Sequence, residues 1–209
     1  MHIDPSDAEH YRPSLFNAIV APRPIGWIST VDVEGRPNLA PFSYFNGISA
    51  TPPLVMFACN APDDRAEKDT LANVRATGEF VANLATWALR EAVNRSSDTV
   101  PHGVDEFLLA GVDKLQSRRV GAPQVAQSPV SMECRVLRIC DFEPEQPLER
   151  RSSVVFGRVI SIRVADGYLD EGGRFDVLKA APIARLHGYH YLAARELFEL
   201  VRPRGRKAA

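Results

Sequence analysis

Cysteine is scarce in this chain, with three residues in 209 and no C-x-x-C pair. An odd number of cysteines so spaced excludes a disulfide framework and gives no zinc motif. Cys59, Cys134 and Cys140 each sit in an apolar run, which reads as reduced core thiols. An excess of one charge is also missing. Twenty-five Lys and Arg stand against 26 Asp and Glu, for a net charge of -1, so the whole-chain balance offers no attraction to nucleic acid or an anionic membrane. No apolar run is long enough to span a bilayer, and the opening MHIDPSDAEHYRP lacks the basic-then-apolar order of a signal peptide. A cytoplasmic protein is expected. The chain has no G-x-G-x-x-G, no G-x-x-x-x-G-K-[ST] and no G-x-S-x-G, so a dinucleotide fold, a P-loop and a nucleophile elbow have no support. His187 and His190 are three apart and could share a metal, but no third ligand lies near them, and no metal is expected.

What is present is an ordinary globular composition, 45% hydrophobic and 24% charged, in a length that favours one domain. The organisation expected is an arm over residues 1–13, a domain over 14–203 and a basic tail over 204–209. Ser14 can cap a short helical turn over Leu15, Phe16, Ile19 and Val20. Pro22 and Pro24 stiffen the approach to a strand from Ile25 to Val33, and Glu34-Gly35 supplies a turn. The return leg, Asn38 to Asn46, carries Pro41 and reads as an edge or bulged strand. Leu54 to Cys59 is apolar on both faces. TLANVRATG, from Thr70 to Gly78, is a helix with a glycine stop. Glu79 to Leu84 is a strand, and Thr86 could cap a helix over Trp87, Leu89, Ala92 and Val93. Residues 102–130 show little pattern. Ser131 to Cys140 is a strand with a bulge near Val136. Val154 to Val164 is the longest strand signal, with Val154, Phe156, Arg158, Ile160, Ile162 and Val164 on one face. Strands outnumber helices and long helical crossovers are lacking, which argues for an antiparallel barrel with a few attached helices.

One constellation points to a ligand on residue chemistry alone. Arg65, Lys68, Asp69 and Thr70 place two cations and a hydroxyl just before a helix start, where free N–H groups and the positive end of the helix dipole gather an anion such as phosphate. The plain alternative is a capped helix with solvated charges.

RPIGWIST, NLAPFSYFN, the Pro-rich connector, R-x-x-K-D-T-L and TGEFVANL resemble the flavin reductase-like family of FMN-binding split barrels. PVSMEC, VVFGRV and ARLHGYHY extend the similarity over about residues 14–203. The resemblance implies a mainly β fold, a six-stranded antiparallel Greek-key split barrel with attached helices, and a homodimer with flavin near the subunit interface. It implies that Pro24, Ile25, Gly26 and Trp27 line the flavin ring. Pro41, Phe42, Ser43 and Tyr44 would contact the isoalloxazine and ribityl chain, and Arg65, Lys68 and Thr70 the phosphate. His187 and Tyr191 would close the site from the C-terminal segment. It further implies FMN as cofactor, NADH or NADPH as reductant, and a partner oxygenase or electron acceptor. Many members that use NADH carry a Gly-Asp-His-type motif before the strand matching VVFGRV. Here the place reads Glu149-Arg150-Arg151-Ser152-Ser153, which leaves the reductant open. Two alternatives stand beside an FMN reductase. One is a flavoprotein with tightly bound FMN that uses NAD(P)H poorly, and the other is a non-catalytic split-barrel binding protein.

Overall fold

The computed structural model describes residues 2–7, 9–62, 64–146 and 149–203. The tail cations Arg204, Arg206 and Lys207 lie outside them. The chain runs through α1 (Pro13–Ile19), β1 (Arg23–Pro24), β2 (Gly26–Val31), β3 (Pro37–Phe42), β4 (Phe45–Ala50) and β5 (Pro53–Asn60). It continues as α2 (Asp69–Thr77), β6 (Glu79–Leu84), α3 (Arg90–Arg95), α4 (Glu106–Ala110), β7 (Lys114–Leu115) and β8 (Gln124–Val125). It closes with β9 (Val130–Phe142), β10 (Ser152–Val164), α5 (Val177–Ala180), β11 (Ile183–Arg185) and β12 (Tyr191–Ala193).

The main sheet has seven strands in the order β3-β2-β6-β9-β10-β5-β4, and its pairings are antiparallel. Its two edges, β3 and β4, follow each other in the chain with only Ser43 and Tyr44 between them. A flat sheet of seven strands would hold its edges roughly 29 Å apart at ~4.8 Å per step. A two-residue link spans about 11 Å at most. The sheet must therefore curl until its edges approach, which makes a barrel with an open seam between β3 and β4. The expected six strands become seven because the return leg 38–46 is two strands. β3 pairs with β2 and β4 with β5, and the chain breaks at Ser43-Tyr44 to change partners. Two small sheets flank the barrel, β1-β11-β12 and β7-β8.

Side-chain alternation on β2 divides the core. Ile28 points into the barrel with Phe42, Phe57, Phe80 and Val155. Trp27 and Ile25 point the other way, against Leu39, Phe107, Val125 and Ile183. Phe57 meets Phe80 edge-on at 5.1 Å and tilts against Phe42 at 5.1 Å. The buried face of β10 is Ser153, Val155, Gly157 and Val159, so Val154, Phe156 and Arg158, which share a face as expected, stand on the opposite side. At Gly157 the inner position carries no side chain because Phe80 fills the space. A Cβ on Gly157 would lie 2.5 Å from the Phe80 Cζ. Apolar alternation thus marks the outer face, where Arg158 is exposed. The bulge falls as expected, since the register with β9 steps from Arg138 to Val136 across Phe156/Gly157.

α2 stops at Gly78, whose φ of 71° needs no Cβ clearance, and begins with Lys68 at its N-cap. Two expected caps are not used. Pro13 stands in the first turn of α1 with Arg12 at the cap, so Ser14 lies inside the helix. α3 starts at Arg90, because Thr86 is held in a bridge to Pro182 and Trp87 donates to the Ala181 carbonyl. The patternless residues 102–130 form α4, the β7–β8 ribbon and a connecting loop laid over the sheet. Buried polar groups hold that loop: Glu133 accepts from the Arg118 and Arg119 amides, and Asn83 from the Val125 amide.

Candidate functional site

A cleft of about 200 Å³ opens where β3, the start of α2 and the loop after α3 meet. Asn38, Ala40 and Pro41 of β3 form one wall, and Ser96 to Val100 form the facing wall. Arg65, Lys68 and Thr70 stand at the mouth of α2, and Glu106 closes the cleft from α4.

Each polar group has a traceable place. The Arg65 guanidinium donates to the Val100 carbonyl at 2.9 Å and pairs with Asp69 at 3.3 Å, so it ties the loop to the helix start. Asp69 also receives His102 at 3.2 Å. Lys68 is exposed, with its Nζ 5.5 Å from the centre of the Phe42 ring, and makes no ion pair among the described residues. The Thr70 hydroxyl, buried, lies 3.3 Å from Asn38 Oδ1 as its donor. Asn38 is only 6% exposed, yet its Nδ2 has no hydrogen-bond partner among the described residues. A buried amide N–H₂ without an acceptor is costly, and here it stands at the wall of the cleft. The Glu106 carboxylate accepts from the Leu39 amide at 3.0 Å. Burial pushes its carboxyl above the usual range, the Leu39 N–H opposes that shift, and Asp69 and Asp105 add to it.

The sequence-derived residues divide into groups. Pro41, Arg65, Lys68 and Thr70 line one cleft, with Phe42 beneath Lys68. Tyr44 belongs to a neighbouring knot, in which its hydroxyl donates to Asn17 Oδ1 at 2.6 Å and its ring lies 5.6 Å from Arg23. Buried Arg23 donates to the carbonyls of Val20 and Leu186, each at 2.6 Å, and joins α1 to the C-terminal segment. Ser43 is half-buried at the seam between β3 and β4. Pro24 is exposed on β1, whereas Ile25 is a core residue. Gly26 is covered by the Phe45 ring, 2.4 Å from where a Cβ would stand. The Trp27 side chain is wholly buried and donates to Ser96 Oγ, so a ring-lining role for the indole is corrected to a core role. His187 is exposed beside His190, ring centres 4.9 Å apart, and Tyr191 lines a different cavity. Neither lines this cleft in its own chain. Asn38, Glu106 and Ser96 to Val100 were not picked out from sequence. Only Asn38, inside the NLAPFSYFN block, carried a signal there.

The segment before β10 is occupied by ion pairs. Arg151 meets Glu143 at 2.9 Å, Ser153 Oγ donates to Asp141 at 2.6 Å, and Asp141 also takes Arg75 at 2.5 Å. Among the described residues no cluster of His, Cys, Asp and Glu could hold a metal, and no helix is long and apolar enough to cross a membrane.

Residues 20–179 match the family model described as the flavin reductase like domain. The chain belongs to the flavin reductase-like family. A family relative, an uncharacterized protein of Aquifex aeolicus, is 37% identical over 86% of this chain and 88% of its own. Nitrilotriacetate monooxygenase component B from Bacillus cereus superposes with a TM-score of 0.86 at 28% identity, covering 96% of this chain and 98% of its own. A flavin reductase candidate with a split barrel domain from Shewanella frigidimarina gives a TM-score of 0.82 at 19% identity, over 97% and 100% of the two chains, and supports the fold alone. The barrel derived from the β3–β4 link is the family's split barrel.

Proposed function

We propose that the cleft binds FMN and that the protein is an NAD(P)H-dependent FMN reductase, passing reduced flavin or electrons to a partner. The carrying observation is that a cation, Lys68, and a buried amide donor, Asn38 Nδ2, both without a partner among the described residues, line one cleft at the start of α2. These are the donors a phosphorylated polyol chain needs, and the residues present fit the group. Lys68 and Arg65 neutralise the phosphate, with Thr70 and the first free amides of α2 completing the anion site. Asn38 donates to the ribityl chain or the phosphate. Pro41, Phe42, Ser43 and Tyr44, with the backbone of Pro24 to Trp27, orient the ring near the barrel seam. A bound flavin supplies the capacity to accept hydride from a nicotinamide and hand electrons on. No side-chain acid or base is required of the chain for that, which accords with its lack of catalytic motifs.

A homodimer in the cytoplasm is part of the same reading. Leu197, Phe198, Leu200 and Val201 are all more than 60% exposed, an apolar row that a second copy would cover. The Bacillus cereus neighbour is a component of a monooxygenase, which supports an oxygenase as the electron-accepting partner.

The absorbance spectrum of the purified protein with added FMN, followed by anaerobic NADH and then NADPH, tests the reading. Bound FMN that bleaches is expected. Bound FMN that stays yellow with both reductants selects the second reading, a flavoprotein that uses NAD(P)H poorly. The ion pairs of Arg151 and Asp141, standing where a histidine motif is missing, favour that second reading. A protein that takes up no FMN overturns both.

A further inference from the structure

A second cavity, of about 440 Å³, lies between the β7–β8 ribbon and the facing stretches of β9 and β10. Leu115, Arg118, Gln124, Glu133, Ile162 and Arg163 line it, and it shares no lining residue with the cleft. The β9–β10 ladder is broken here by a bulge between Val159 and Ser161, with Ser161 opposite Glu133. Bulges re-aim side chains and gather beside functional sites.

Its buried wall carries negative charge. Glu133 is 1% exposed and Gln124 2%. The Glu133 carboxylate accepts from the Arg118 and Arg119 amides, at 3.1 and 2.6 Å, and from Gln124 Nε2 at 3.1 Å. Those donors are all neutral, and among the described residues no cation pairs with Glu133. Gln124 Oε1 has no hydrogen-bond partner among the described residues. Turning the amide over would set that oxygen against the carboxylate, so its orientation is fixed. A buried oxygen without a donor is costly. A donor that carries positive charge would answer both the oxygen and the unpaired carboxylate.

Its two arginines are uncompensated in the opposite sense. The Arg163 guanidinium donates to the Ser128 and Ala126 carbonyls, at 3.0 and 3.3 Å, which holds it in place without meeting its charge. Arg118 is exposed, and among the described residues neither arginine forms an ion pair. Leu115 and Ile162, both exposed, add apolar surface to the same cavity. One cavity therefore presents an unanswered acceptor beside a carboxylate, guanidinium forks that match a carboxylate, and an apolar flank.

We propose that this cavity binds a free aliphatic α-amino acid. The ammonium group donates to Gln124 Oε1 beside the Glu133 charge, the carboxylate takes Arg118 and Arg163, and the side chain lies against Leu115 and Ile162. The site is independent of the flavin reading, since its residues are not those of the cleft.

Isothermal titration calorimetry of the full chain with L-leucine tests it, beside 4-methylpentanoate, the same skeleton without the ammonium group. L-Leucine is expected to bind with a Kd below ~10 mM, and 4-methylpentanoate about tenfold or more weakly than that. Arg118→Ala should weaken L-leucine about tenfold, one decade in Kd, and Lys68→Ala should leave it unchanged. Arg118 is exposed, and its amide, which holds Glu133, survives the substitution, so the fold stays intact, which a thermal melt checks. If L-leucine does not bind below ~10 mM, if 4-methylpentanoate binds as tightly, or if Arg118→Ala binds as the parent does, the amino-acid site is refuted. Loss of L-leucine binding in Lys68→Ala would place the ligand in the cleft and also overturn the assignment.

Discussion

The indole N–H of Trp27 donates to the Ser96 hydroxyl at 2.8 Å, and both residues are closed off from water. Trp27 stands on β2, while Ser96 ends α3 and lines the cleft. The tryptophan therefore acts on the site from behind, by fixing one wall, and the hydroxyl completes the link by donating to the Val93 carbonyl at 3.0 Å. Ser96→Ala leaves the buried indole N–H without an acceptor, a cost of about 1–3 kcal/mol. Urea unfolding should register it. Ser97→Ala, whose hydroxyl donates to the Asn94 carbonyl on the surface, should stay within ~0.5 kcal/mol of the parent.

On the proposed reading, Lys68→Ala removes a charge-assisted bond to the FMN phosphate worth about 1.5–3 kcal/mol. FMN affinity should fall roughly 10- to 150-fold. Riboflavin, which has no phosphate, should bind the variant and the parent alike. FMN titrations that come out unchanged in both Lys68→Ala and Arg65→Ala would remove the phosphate from this cleft.

Glu106 has a carboxyl raised by burial, so the folded chain holds its proton at pH values where the unfolded chain has lost it. The folded state then binds more protons than the unfolded one, and this group's contribution to stability falls as pH rises through the window above 4.5. Glu106→Gln keeps an acceptor for the Leu39 amide and removes the ionisation. Relative to the parent, its Tm should rise as pH climbs out of the acid range. A difference in Tm that does not change with pH would contradict the assignment.

Cys59 and Cys134 are buried thiols pushed up to about 12 by desolvation. Both stay protonated at pH 8 and unreactive. Cys140 is only partly buried. A thiol reagent such as Ellman's should label one cysteine in the native chain and all three in denaturant. Rapid labelling of more than one in the native protein would show that the core opens.

A lone barrel leaves the apolar row of Leu197, Phe198, Leu200 and Val201 in water. Light scattering at micromolar concentration should give twice the chain mass, and a double substitution Phe198→Ser, Leu200→Ser should shift the mass toward one chain. A parent that scatters as a monomer with FMN bound would dispose of the dimer.

Much of this was legible in the sequence for reasons that can be named. Glycine at 35 and 78 has a positive φ where a turn and a helix stop were expected. Arg65, Lys68 and Thr70 line one cleft because they are neighbours at one helix start, a local arrangement that spacing reveals. The facing wall was not legible. Ser96 to Val100 and Glu106 reach the cleft through tertiary packing, in a stretch anchored where Ser96 accepts from Trp27 of β2 and Glu106 from the Leu39 amide of β3. The inner face of β10 carries little apolar pattern because Ser153 and Gly157 interrupt its valines, and at Gly157 the space is taken by Phe80, a residue some eighty positions away. Trp27 was drawn toward the ligand by its neighbours in the motif, while β-strand alternation turns it into the second core.

The two-residue joint at Ser43-Tyr44 has a kinetic counterpart. It brings the sheet's outer strands together almost at once in the chain, but β5 obtains its second neighbour only from β10, with Asn60 and Ser152 ninety-two positions apart. On a ribosome adding about 5–20 residues per second, the inner edge of β5 waits roughly 5–20 s for that partner to be made. Such long-range pairing also slows refolding in vitro. During that interval the strand Leu54 to Cys59 is an uncovered apolar edge, so the nascent chain's exposure to aggregation is set by how long the barrel's last rung takes to arrive.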